Sequence, residues 1–387
     1  MNKILLFLLI VLLGGCQDNI KTKTVYKDLK SNLVIDSICI PLDSISLASY
    51  PSATYIYSTD SSTAMYAFNS KTWMVDIFDL NKKCLSGHIA LEREGADGVP
   101  YIKSMQVLSI DSIVCFNDNG FLIFNEKGKV ISKEALTYVA SDCVGNFEIS
   151  QFLQPFYDKK HKKIYGRLIT SKDPYPYPPM EKLFAEYDLC DRRWTALPLE
   201  LPPYMQKYWQ RMGQNRNLNI WISDTRICYN FTCLSDIFIY NMIDQRLQIA
   251  GGESRLVDNE VSFYDGDPQN EKAKWQHWID NPVFYAPIYD KFKDIYYRIQ
   301  VSELNKHCND LPTPYDKKIV LALFNNNLEM ISEFQLENYK YNFLFFGVDK
   351  DGLIVGGNNP RDKSIDYEVL KPVSYTHLRA HETGAYL

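Results

Sequence analysis

Val75-Asp76-Ile77-Phe78-Asp79-Leu80-Asn81-Lys82-Lys83 reads as an alternating strand, an acidic stop and a polar turn. Period-two alternation gives the strand a buried face. The aspartate ends it because its side chain bonds its own backbone and tolerates turn dihedrals. The same grammar returns along the chain. Leu122-Ile123-Phe124-Asn125 leads into Glu126-Lys127-Gly128-Lys129, and Phe184-Ala185-Glu186-Tyr187-Asp188 into Leu189-Cys190-Asp191-Arg192. Ile237-Phe238-Ile239-Tyr240-Asn241 leads into Met242-Ile243-Asp244-Gln245, and Leu321-Ala322-Leu323-Phe324-Asn325 into Asn326-Asn327-Leu328-Glu329. Copies recur at roughly 45 to 80 residues, the period of propeller blades that carry insertions. Upstream of each lies another strand pair, such as 105–108 with 112–116, giving four strands per copy. Strands at 343–355 and 367–370 form a sixth, incomplete copy that an early strand at 33–40 can complete. The expected fold class is therefore all-β: a six-bladed β-propeller, its last blade closed by an N-terminal strand. A seven-bladed ring is the alternative. A two-sheet sandwich ranks behind, because it predicts shorter, more even strand spacing. Ring closure also removes exposed sheet edges.

The ends carry different information. Met1-Asn2-Lys3 precedes an apolar run from Ile4 to Leu13, then Gly14-Gly15-Cys16. The run is too short to span roughly 30 Å of hydrocarbon and reads as a lipoprotein signal peptide with its lipobox. Cleavage before Cys16 and acylation of its thiol, with palmitate among the chains, would tether a domain at ~0.8 kcal/mol per buried CH₂. Gln17 rather than Asp follows the cysteine, which points to the outer membrane, on its periplasmic side or at the cell surface. At the other end, residues 373–383 resemble the in-frame translation of a transposon sequencing adapter. The expected organisation is a signal peptide over 1–15, a lipidated tether over 16–32, a propeller over 33–372 and a non-native tail over 373–387.

The formal charge of −5 gives no basic stripe, so nucleic-acid binding is not expected. Of the nine cysteines, the eight after Cys16 are irregularly spaced and form no C-x-x-C pair. Cys228 and Cys233 could meet only across a tight turn, and most of the others read as small buried hydrophobes.

Tyr285-Ala286-Pro287-Ile288-Tyr289-Asp290, followed by Ile295-Tyr296-Tyr297-Arg298, resembles the lipoprotein family catalogued as domain of unknown function 4221. Leu91-Glu92-Arg93-Glu94-Gly95-Ala96-Asp97-Gly98-Val99 is similar to that family's Glu-Gly-x-Asn-Gly-Val loop, with Asp97 where asparagine is usual. Gly356-Gly357-Asn358-Asn359-Pro360 is similar too. The resemblance covers nearly the whole mature chain. It implies a propeller and an envelope address, and it implies no activity.

Three groups are candidates for binding. Tyr289, Asp290, Tyr296, Tyr297 and Arg298 combine a planar guanidinium fork with flat aromatic faces suited to carboxylate or sugar oxygens. The competing reading makes Asp290 a turn cap and Arg298 its partner or that of a neighbouring blade. Trp275, His277 and Trp278, on a short helix expected over 271–279, could form a carbohydrate platform or an amphipathic turn with buried indoles. Glu92, Glu94 and Asp97 could hold a hard cation such as Ca²⁺, or could be solvated acids around glycines that need positive φ. His88, His161 and His307 stand alone in polar stretches and read as surface residues. Asp-Ser-Ile at Asp36, Asp43 and Asp111 resembles a bacterial O-glycosylation acceptor and equally suits a turn before a strand. No nucleophile elbow, phosphate loop or metalloprotease helix is present.

The expected function is an envelope lipoprotein, anchored in the membrane by its lipid, that binds an unidentified ligand, a glycan or an envelope protein partner. No cofactor, metal or catalytic residue is assigned. The alternative is a glycan hydrolase or lyase using carboxylates near Glu94 or Asp290.

Overall fold

The strands of the computed structural model are grouped in six antiparallel sheets. The structure describes residues 21–29, 31–50, 53–118, 120–140, 143–150, 152–170, 182–206, 212, 217–223, 225–267, 269–304, 317–338, 340–357 and 363–373. Cys16, His307, Cys308, the proline-rich stretch 173–179 and the adapter-like tail beyond Val373 lie outside the described residues.

Strand β1 (Leu33–Pro41) comes first in the chain but belongs to the last blade. Blade 1 is β2 (Thr54–Ser58), β3 (Thr63–Asn69), β4 (Met74–Asp79) and β5 (Cys84–Ala90). Blade 2 is β6 (Ser104–Ser109), β7 (Ser112–Asn117), β8 (Gly120–Phe124) and β9 (Val130–Ala135). In blade 3 the inner strand is split, and β11 (Cys143–Phe147) and β12 (Phe156–Asp158) both pair with β13 (Lys163–Thr170). The blade adds β10 (Tyr138–Ala140), β14 (Phe184–Asp188) and β15 (Arg193–Ala196). A helical turn, α1 (Pro203–Gln206), precedes blade 4, which is β16 (Leu218–Ile222), β17 (Arg226–Phe231), β18 (Ile237–Asn241) and β19 (Arg246–Ala250).

Helix α2 (Glu271–Asp280) leads into blade 5, whose inner strand is again split, into β20 (Val283–Phe284) and β21 (Ile288–Asp290). Its other strands are β22 (Ile295–Val301), β23 (Ile319–Asn325) and β24 (Met330–Leu336). Blade 6 is β25 (Tyr341–Val348), β26 (Leu353–Gly357) and β27 (Ser364–Pro372), with β1 as its outer strand. Nine residues of β1 pair with β27, from Leu33 opposite Pro372 to Pro41 opposite Ser364. The ring is thus six-bladed rather than seven-bladed or a sandwich, and the N-terminal strand closes it.

The packing explains why middle strands are buried on both faces and lose the apolar–polar alternation. Each faces a neighbouring blade on both sides, so β22 is buried throughout. Met65 and Ala67 of β3 pack with Ile354, Ile365 and Val369 of blade 6. Their alternates Tyr66 and Phe68 pack with Met105, Val107 and Ile113 of blade 2. Equivalent clusters join blades 2 and 3, 3 and 4, 4 and 5, and 5 and 6. The core is a circle of six wedges, each worth ~1.5–3 kcal/mol per fully buried large side chain.

Antiparallel strands put the connections alternately on two faces. The turns from first to second and from third to fourth strand share one face, hereafter the turn face. There the side chain of Asn241 accepts the N–H of Ile243 at 2.9 Å, and Asp188 accepts those of Cys190 and Asp191 at 2.8 and 3.1 Å. Lys83, Lys162, Arg192, Gln245, Asp294 and Leu328 close such turns at φ between 50° and 60°. The second-to-third connections and the blade-to-blade crossings start and end on the opposite, loop face, which carries α1 and α2. At the hub, Phe152 meets Tyr285 at 5.7 Å and Tyr285 meets Phe346 at 6.2 Å, so aromatics from blades 3, 5 and 6 converge where their inner strands are interrupted.

Candidate ligand-binding face

The sequence motif Tyr289 to Arg298 does not form one site. Alternate residues of β22 face opposite neighbours: Tyr297 points towards blade 6, Tyr296 and Arg298 towards blade 4. Asp290 is fully buried; its Oδ1 accepts the N–H groups of Phe292 and Lys293, and Tyr297 donates to its Oδ2 at 2.9 Å. Burial pushes the Asp290 carboxyl up, against the pull of Lys293 and these hydrogen bonds. It is the turn cap.

Arg298 is also fully buried. It donates to the carbonyls of Ser235 (2.5 Å), Leu234 (3.1 Å), Gly252 (3.2 Å) and Tyr285 (3.3 Å), and lies over Phe284. A Cβ on Gly252 would stand 2.1 Å from its Nη1, so glycine makes room for the guanidinium. Arg298 bolts blade 5 to the loop-face turn of blade 4. Tyr289 stays nearer the surface on the turn face, bonded to Asp294 at 2.8 Å with Arg226 stacked 4.3 Å above its ring.

On the loop face, α2 spans Glu271–Asp280, capped by Asn270, whose side chain accepts the N–H of Ala273 at 3.0 Å. Trp275 is 49 % exposed. The Nε2 of His277 is 2.8 Å from the Ser262 carbonyl, and Trp278 packs inward beneath Lys317. Lys317 is a buried lysine that the sequence reading passed over. Burial pushes its ammonium down to about 8, and it donates to the Asn281 carbonyl at 2.6 Å.

The loop after β5 turns back on itself: Val99 N–H reaches the Glu92 carbonyl at 2.8 Å, and Gly95 sits at φ 92°. Asp97 accepts the N–H of Val130 in blade 2 at 3.2 Å, while Glu92, Arg93 and Glu94 stay exposed. Among the described residues, no group of three or more His, Cys, Asp or Glu side chains is placed to hold a metal ion.

Beside this loop is a cluster that the sequence did not flag. Trp73 holds the left-handed position, φ 60°, of the β3–β4 turn that Asn69 caps. Such a backbone costs a non-glycine residue roughly 1–2 kcal/mol. Its ring packs edge-on against Phe68 at 5.3 Å and Tyr101 at 6.3 Å, Nε1 donates to the Val99 carbonyl at 2.9 Å, and the Arg93 guanidinium lies 4.6 Å above it. Tyr101 is 45 % exposed. An aromatic ledge, a guanidinium and the carboxylates of Glu92 and Glu94 therefore share one rim. Asp290 lies at the turn face and Glu94 at the loop face, so these two acids cannot work on one bond.

His88 does not stand alone either. Its Nδ1 is 2.7 Å from Asp76 Oδ1 and its Nε2 is 3.0 Å from Asp43 Oδ2. Asp76 is fully buried and takes further bonds from Tyr50 and from Asn69 at 3.0 Å. Burial alone would lower the His88 pKa, but the hydrogen bonds and charges of Asp76 and Asp43 raise it. Burial pushes the Asp43 carboxyl up, but hydrogen bonds from Ser46, the N–H of Ile45 and His88 together outweigh it and hold it at about 2. This clasp ties down the crossing from β1 to β2. Cys228 and Cys233 are both buried free thiols, and the Ser37 hydroxyl is bonded to Glu368.

A family model described as domain of unknown function, DUF4221, matches residues 28–335, and the chain belongs to that family. A crystal structure of a DUF4221 family member from Bacteroides vulgatus matches with a TM-score of 0.71 at 17 % identity, over 89 % of this chain and 99 % of its own. A crystal structure from Bacteroides fragilis, of a protein assigned as exported, matches at 0.54 and 10 % identity, over 91 % of this chain and 99 % of its own. At these identities the likeness shows the fold alone. No curated protein matches the sequence.

Proposed function

We propose that this DUF4221 protein is an exported, lipid-anchored envelope protein whose propeller captures a glycan on its loop face, on the ledge formed by Trp73, Tyr101 and Arg93. The observation that carries this reading is Trp73 itself. The chain spends left-handed backbone on an indole there, whereas six of the other seven non-glycine positive-φ positions among the described residues hold Lys, Arg, Gln or Asp. The return is a partly exposed indole with an exposed guanidinium stacked over one face and Tyr101 at its edge, groups that can pack on sugar C–H faces and bind acidic sugar oxygens. The lipobox at Cys16 supports the address, and the charge of −5 argues against a nucleic-acid ligand.

A glycan array probed with the chain lacking residues 1–15 tests the reading. Binding to an acidic glycan should fall at least about tenfold in Trp73→Gly and Arg93→Ala, a loss of ~1.4 kcal/mol or more. Equal binding by parent and both variants, or binding to nothing on the array, overturns it.

A further inference from the structure

The first described residues do not hang free. Thr22 bridges to Ala250 of β19, Tyr26 bridges to Met330 of β24, and Arg255 stacks 3.8 Å over the Tyr26 ring. Lys21 ends this run in a 2.6 Å salt bridge to Asp236, a buried residue of the β17–β18 loop on the loop face. Tyr204 of α1 bonds the same carboxylate at 2.5 Å. From there the surface is continuous. Leu234 bridges to Glu260, and the neighbouring Ser262 meets His277 and Asn281 at the end of α2. Three aromatic rings are part-exposed along this stretch: Tyr204 at 46 %, its hydroxyl held inward by Asp236, Phe263 at 40 % and Trp275 at 49 %.

We infer that this margin of the loop face, at blades 4 and 5, rests on the bilayer through Tyr204, Phe263 and Trp275, so that the propeller is held at a fixed tilt. The inference rests on lipidation at Cys16. Four residues lie between Cys16 and Lys21, so the five steps make a leash of at most ~18 Å at 3.6 Å per residue. A folded unit of this size has a radius of gyration of about 20 Å. A leash shorter than the body cannot swing it round to present its other face. Tyrosine and tryptophan favour the headgroup layer, where an apolar ring and a polar tip are both satisfied. Glu260, Asp265 and Asp267 flank the patch against Lys272, with Glu271 paired to Lys274, so the margin keeps an acidic excess that fits zwitterionic headgroups better than anionic ones. Blade 1 lies across the six-membered ring from blade 4, so the Trp73–Tyr101 ledge is on the raised side.

Hydrogen exchange on the full lipidated chain in phosphatidylethanolamine–phosphatidylcholine vesicles tests this against the same chain in detergent. Residues 200–206 and 260–280 should exchange at least about fivefold more slowly in vesicles, while the turns at 79–84 and 241–246 stay unchanged. The protection should weaken when phosphatidylglycerol replaces part of the lipid. It should also be lost in Phe263→Ser/Trp275→Ser, which remains membrane-bound. An insert of about twenty Gly/Ser residues after Asp18 should release it in the same way. Lipid on Cys16, read by mass spectrometry, without the protection overturns the tilt alone. An unmodified Cys16 overturns the anchoring as well. Protection that appears in soluble Cys16→Ser protein and grows with concentration assigns the patch to a second copy instead, and also overturns the inference.

Discussion

The two faces of the ring are made by the same strands and differ in how those strands are ended. On the turn face, an Asp or Asn side chain takes the next backbone N–H groups, a left-handed residue follows, and the chain re-enters the blade at once. On the loop face the chain wanders through α1, α2 and the 91–103 crossing, and leaves Tyr101, Tyr204, Phe263 and Trp275 half in water. The apolar tips of the turn face are isolated residues, Ile110 and Ile243. The closed face is where the sequence spends its turn chemistry on stability. The open face is where it tolerates exposed rings and a strained tryptophan, which is the asymmetry expected of a scaffold with one working side.

The strongest way to break the comparison is through the bolt beneath the loop face. Arg298→Leu strips the donors from four carbonyls and should cost roughly 3–5 kcal/mol in urea unfolding. A loss under 1 kcal/mol would mean that water replaces the guanidinium. Next comes a turn-face cap: Asn325 accepts the N–H groups of Asn327 and Glu329 and donates to the Glu329 carboxylate at 2.7 Å. Asn325→Ala should cost about 1–1.5 kcal/mol without touching glycan binding, and calorimetry beside the array would show whether the two faces separate this way.

The His88 clasp predicts a pH dependence confined to the loop face. Its proton is held more tightly folded than unfolded, so the clasp is complete below the ordinary value of 6.5 and is lost as pH rises through the raised folded value. Proton NMR should place the His88 midpoint above 6.5, with exchange across 43–50 quickening over that same range; a midpoint at or below 6.5 disproves the clasp. The smallest effect sharpens the contrast most. Gln245→Gly relieves an exposed φ of 55° and should stabilise by up to about 1 kcal/mol. Trp73→Gly makes the same backbone change on the other face, yet should leave stability unimproved because Phe68 and Val99 lose their partner. Differential scanning of the pair reads both.

The ring was legible because its signal is local and repeated: five strand-stop-turn units fall where β4, β8, β14, β18 and β23 end, and β1 takes the vacant outer place in blade 6. Helix α2 was legible from its polar-aromatic run. Sites were harder. Tyr297 and Arg298 are adjacent in sequence, and strand alternation sends them to different neighbours. His88 looked solitary because its partners, Asp43 and Asp76, come from a crossing and a neighbouring strand, and Tyr50 and Asn69 join only through Asp76. Trp73 carried one usable sign, an indole four residues after a capping asparagine, where the turn demands positive φ.

Closure by β1 has a consequence for the order of manufacture. Ser37 and its hydrogen-bond partner Glu368 are 331 residues apart. The segment made first must therefore wait, unmated, until the last strands have been synthesised and delivered. Blades 1 to 5 can assemble in sequence as they emerge, but the circle locks only once, at the finish. A chain halted before residue 364 would keep an orphaned strand at one end and an open sheet at the other, which exposes it to proteolysis.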